Sequence, residues 1–99
     1  MAHRVAPRAE ADLDDIWLYV AKETARMDVA TRLIDSITGR FSFLASFPYV
    51  GRARDEDLGA GSRSFAVGEY VIVYCIEGAD VLILRVVHGR RDLEALFDQ

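Results

Sequence analysis

The chain has 99 residues, a net charge of −4, 52% hydrophobic residues and one cysteine. At roughly 150 residues per domain this length allows one domain with one modest core. The apolar fraction excludes a disordered chain, and the single cysteine excludes an internal disulfide framework and a cysteine-based metal site. The longest apolar run, Tyr70 to Ile76, is far too short for a membrane span, and the start lacks the apolar segment of a secretory signal. The expectation is a cytoplasmic domain with no membrane role and no cofactor.

His3 to Ala6 predicts a short strand stopped by Pro7, a residue that also suits the first turn of a helix. From Pro7 to Glu23 the apolar positions Ala9, Leu13, Ile16, Trp17 and Val20 form one helical stripe. Asp28 to Ala45 predicts a second helix with the stripe Ala30, Leu33, Ile34, Ile37, Phe41 and Leu44. Gly39 weakens it by roughly 1 kcal/mol relative to alanine. Phe47-Pro48 ends it, because the residue before a proline is pushed out of the helical region.

Residues 48 to 61 read as a polar, glycine-punctuated loop. Three strands follow at Arg63–Val67, Tyr70–Ile76 and Val81–His88, and Asp92 to Phe97 offers a short closing helix. The order is β-α-α-β-β-β with a helical tail: an α+β domain, its antiparallel helix hairpin packed on a small antiparallel sheet. Strict alternation places Val81, Ile83, Arg85 and Val87 on one face of the last strand. Both faces of the sheet are then apolar, and a single helix hairpin covers one of them. A partner chain or the 48–61 loop could cover the rest.

Charge is unevenly placed. Eleven of the twelve bases are arginine, acids crowd Glu10 to Asp28, and Arg85, Arg90 and Arg91 make the end of the chain basic. A pI near 5.0 argues against nonspecific nucleic-acid binding by this chain.

The ordered motifs Ala9-x-x-Asp12-Leu13-x-x-Ile16-x-x-Tyr19-Val20, Phe47-Pro48-x-x-Gly51, Arg63-Ser64-Phe65-x-Val67-Gly68-x-Tyr70-Val71-Ile72-x-Tyr74 and Ile83 to Asp92 cover nearly the whole chain. Together they resemble the RelE/ParE superfamily of bacterial type II toxins, in its ParE branch. The resemblance implies a toxin that poisons DNA gyrase and is neutralised by a ParD-like antitoxin in a hetero-oligomer. It also implies DNA contact only through the antitoxin. RelE-like members instead cut mRNA on the ribosome. Relative to them, the sheet arginine falls on Val71, the tail tyrosine on Phe97 and the paired lysines on Ser62 and Ser64, while Arg91 keeps its place. Valine and phenylalanine cannot transfer protons or hold phosphate charge, so no catalytic residue is assigned. An mRNA endonuclease working through Arg91, Arg63 and His88, or a nontoxic remnant that only binds its partner, remain the alternatives.

The expected target-binding residues are Arg85, His88, Arg90, Arg91 and Phe97. The expected antitoxin contacts are Trp17, Tyr19, Arg63, Tyr70, Val71, Val73 and Arg85, with the two arginines meeting carboxylates. Trp17 and Tyr19 fall on different sides of the first helix, so only one of them should face the core.

Overall fold

A computed structural model describes residues 2–89 and 92. The elements are β1 (His3–Val5), α1 (Pro7–Thr24), α2 (Met27–Ser46), β2 (Arg52–Ala53), β3 (Ser62–Val67), β4 (Tyr70–Glu77) and β5 (Asp80–His88). The boundaries follow local chemistry. Pro7 opens α1, Ala25 closes it in a left-handed conformation (φ 55°), and α2 ends at Ser46 with Phe47 as its cap. Gly68 and Gly78 supply the positive φ of the two hairpin turns that join β3 to β4 and β4 to β5.

The five strands form one sheet in the order β1-β5-β4-β3-β2. Three of its pairings are antiparallel, but β1 runs parallel to β5, with His3 opposite Val81 and Val5 opposite Ile83. The sheet is therefore mixed, where a purely antiparallel one was expected. The α1–α2 hairpin carries the chain from β1 to β2 at the far edge, and the antiparallel run β2-β3-β4-β5 then brings it back beside β1. The 48–61 segment also contributes the two-residue edge strand β2, which pairs with Ser64 and Arg63.

The helices cover one face of the sheet. Ala9 of α1 and Ile37, Phe41 and Leu44 of α2 close on Tyr70, Ile72, Tyr74, Val81, Ile83 and Val86. Phe65 and Val67 of β3 pack against the same cluster. The alternation in β5 does not run unbroken. Val73 pairs with Arg85 and Tyr74 with Ile83, which leaves Leu84 as the extra residue of a bulge. Beyond the bulge the inward position belongs to Val86, so the expected series Val81, Ile83, Arg85, Val87 is corrected to Val81, Ile83, Val86.

The opposite face is partly covered by the chain itself. Arg54, 9% exposed, folds back so that its Nη1 donates to Ser64 Oγ at 3.1 Å, and Ser62 Oγ donates to the Leu58 carbonyl at 3.0 Å. Val73 and Val87 on this face are buried, while Val71, Cys75 and Leu82 are half-buried. No helix among the described residues is long and apolar enough to cross a membrane.

Candidate interaction surface

β1 ends at Val5, and its last tie to β5 is the Ala6 amide donating to the Ile83 carbonyl at 2.9 Å. Proline at position 7 has no amide to continue the ladder. The C-terminal half of β5 therefore runs past β1, and no strand of the described residues lies on its outer edge there. Two carboxylates occupy that edge. Asp12 Oδ2, on α1, accepts from the Val86 amide at 2.9 Å, and Asp92 Oδ2 accepts from the His88 amide at 3.2 Å.

Asp12 also binds the side chain next to that amide. Arg85 Nε donates to Oδ2 at 2.8 Å and Nη2 to Oδ1 at 3.1 Å, a two-point pairing that suits the planar guanidinium fork. The bond to Asp12 raises the Arg85 pKa above its ordinary value against the cost of burial. Arg85 was expected both to meet the target and to pair with antitoxin carboxylates. In the folded chain its charge is paired with Asp12, so Arg85 also joins α1 to β5.

His88 stands beside it with its side chain 17% exposed, its ring 5.5 Å from that of Tyr70 and nearly perpendicular, and its Nε2 3.8 Å from Glu69 Oε2. A cleft of about 440 Å³ lies between α1 and β5, with Arg8, Asp12, Asp15, Arg85 and Asp92 on its walls. Arg90, Arg91 and Phe97, and most of the expected closing helix, lie outside the described residues.

The expected antitoxin contacts are dispersed. Trp17 is half-buried and turns toward α2, its Nε1 donating to Thr31 Oγ1 at 3.1 Å, whereas Tyr19 is exposed. Tyr70 and Val73 are 7% and 4% exposed, enclosed by this chain, which corrects them from surface contacts to interior residues. Arg63 turns inward, its Nη2 donating to the carbonyls of Tyr49 at 3.0 Å and Gly51 at 2.6 Å. It therefore braces the turn that follows α2 rather than standing free for a partner carboxylate. Ser62 and Ser64 are buried and engaged with Leu58 and Arg54.

One surface escaped the sequence reading. Phe43, Phe47, Tyr49 and Val50 lie exposed together where α2 ends. The signal was present in the text, as an apolar helix end running through Phe47-Pro48 into Tyr49-Val50, but it reads as loop once the helix stops.

A helix hairpin laid on a five-stranded mixed sheet is the architecture expected of the RelE/ParE superfamily of small toxins. Residues 4–93 match the family model for the ParE toxin of type II toxin-antitoxin system, parDE. Toxin ParE1 of Caulobacter vibrioides is 36% identical over 93 residues, covering 94% of each chain. Toxin ParE3 of the same organism is 37% identical over 84 residues, covering 85% of this chain and 82% of the relative. Among solved structures, the chromosomal ParDE system from P. aeruginosa shares the fold with a TM-score of 0.77 at 20% identity, covering 89% of this chain and 95% of that one. The RelBE2 toxin-antitoxin complex from Mycobacterium tuberculosis superposes with a TM-score of 0.59 at 26% identity, covering 88% and 95%. The chain belongs to the ParE toxin family of type II toxin–antitoxin systems.

Proposed function

We propose that this chain acts in the cytoplasm as a toxin that inhibits DNA gyrase, and that a ParD-like antitoxin silences it in a hetero-oligomer. One observation carries the choice of target over ribosomal mRNA. The positions that align with the sheet bases of RelE-like nucleases hold Val71, Ser62 and Ser64, and both serines are buried and committed to hydrogen bonds with Leu58 and Arg54. A valine and two sequestered hydroxyls offer neither phosphate charge stabilisation nor a proton donor of suitable pKa. With Arg85 paired to Asp12, the surface that meets gyrase is read as Arg90 and Arg91 with His88 and Phe97. Operator DNA is contacted by the antitoxin, since this chain is acidic overall.

Purified chain released from its antitoxin is added to a gyrase supercoiling assay and, in parallel, to ribosomes programmed with mRNA. Loss of supercoiling with intact mRNA is the expected result. Cleaved mRNA with unimpaired gyrase would assign the chain to the nuclease activity instead, and no effect in either assay would leave a partner-binding remnant.

A further inference from the structure

We infer that the end of α2 and the turn after it form a docking site for an acidic, amphipathic segment of the antitoxin, an assignment that rests on the toxin–antitoxin reading above. Phe43, Phe47, Tyr49 and Val50 are 36%, 59%, 73% and 48% exposed, and they line a groove of about 540 Å³. The patch is continuous: the Phe43 ring lies 5.3 Å from that of Phe47 and 5.8 Å from that of Phe65. Contiguous exposed apolar surface of this kind marks an interaction site, whereas single exposed hydrophobes do not.

The backbone beneath the patch is held from inside. Tyr74, fully buried, donates its hydroxyl to the Pro48 carbonyl at 2.8 Å and accepts from the Gly51 amide at 2.9 Å. Gly51 permits this approach, because a Cβ there would collide with the Tyr74 hydroxyl oxygen. Arg63 grips the same turn through the Tyr49 and Gly51 carbonyls. Aromatic side chains on a braced turn lose little freedom when a partner arrives, which favours affinity. Several of the turn's polar backbone groups are thereby already used, so a partner finds side chains to pack against more readily than a strand edge to extend. An amphipathic helix with anchors every three or four residues fits such a groove.

Charge selects the partner. The Arg63 guanidinium lies 5.5 Å from the centre of the Tyr49 ring, and its Nε is buried without a hydrogen-bond partner. Arg40 stands three and seven residues before Phe43 and Phe47, on the same side of α2. Among the described residues, neither arginine has a carboxylate within ion-pair reach. In a chain of net charge −4, Arg40 thus places an exposed positive charge beside the most exposed aromatic surface, with the Arg63 guanidinium held under the Tyr49 ring. An acidic segment complements that charge, whereas two copies of this chain, each of net charge −4, would repel one another overall.

The test uses the complex of this chain with its ParD-like antitoxin. Phe47→Ser with Tyr49→Ser should weaken binding at least tenfold, with the melting profile of the free chain checked in parallel. Tyr49→Ser alone and Arg40→Glu touch only the surface and keep the test decisive if the double variant folds poorly. Arg40→Glu should weaken binding severalfold and flatten its dependence on salt. Antitoxin affinity unchanged in both single variants would overturn the docking site while leaving the toxin–antitoxin reading intact. Failure of the unaltered chain to bind any antitoxin would overturn both. A concentration-dependent dimer of the free chain that Tyr49→Ser abolishes, with antitoxin affinity unchanged, would assign the groove to self-association and overturn the proposal.

Discussion

Asp12 and Arg85, 73 positions apart, form a two-point ion pair whose carboxylate also caps the neighbouring Val86 amide. The pair ties α1 to the part of β5 that β1 does not reach, just where the strand bulges at Leu84. Both side chains are largely shielded, at 11% and 22% exposure, so the pair loses less to water than a surface contact does. Its place at the base of the C-terminal segment makes it a support for whatever that segment meets.

Asp12→Ala strands a guanidinium and an edge amide at once. It should cost about 2–3 kcal/mol, the range for a shielded polar group left without its partner. Asp12→Asn retains an acceptor for Val86 and should cost less. Urea unfolding of the three proteins checks the order, and equal midpoints would show that water replaces the carboxylate fully.

Gly39 lies in the interior of α2 with nothing within 4 Å of the place its Cβ would occupy. Gly39→Ala therefore gains helix propensity without a clash. It should stabilise the chain by about 0.5–1 kcal/mol, read as a thermal midpoint raised by several degrees. A lowered midpoint would mean that the exposed face of α2 is tighter than its geometry indicates.

Acid should act through Asp57, whose carboxyl the Arg54 guanidinium holds below its ordinary value of 3.8. In that situation the unfolded chain binds the proton more readily than the folded one. The contribution is complete above 3.8 and is lost as pH falls from there through the lower folded value. The unfolding midpoint of Asp57→Asn should consequently fall less steeply with acidification than that of the unaltered chain. Parallel curves would assign acid sensitivity to other carboxylates.

Arg90 and Arg91 carry the proposed target contact. Replacing both by alanine should abolish toxicity in cells and gyrase inhibition in vitro, with the melting profile of the double variant checked against that of the unaltered chain. Antitoxin binding should survive at least in part. A folded double variant that remains fully toxic would remove these arginines from the target surface.

The elements of this fold are written locally. Pro7 and Phe47-Pro48 bound the helices, the spacing of Ala30, Ile37, Phe41 and Leu44 marks the buried side of α2, and Gly68 and Gly78 mark the hairpins. Each signal depends on neighbours within a turn or two, where periodicity and backbone preference act. What joins distant segments was decided only in three dimensions. His3 to Val5 reads as a strand of any orientation, and its parallel alignment on Val81 to Ile83 exists because the helix hairpin carries the chain to the far edge and the antiparallel strands β2 to β5 bring it back. The bulge at Leu84 shifts the alternation by one residue, placing Val86 in the core beside Ile83. Period-two reading cannot register such a shift, since the extra residue is chosen by the facing strand and by the helix above it. Arg85 looked free because its carboxylate lies on α1, and Arg63 because the carbonyls it binds belong to a turn closed by Tyr74. A charge announces itself in the sequence, but its partner is fixed only when folding brings the two within about 3 Å, the reach of a hydrogen bond.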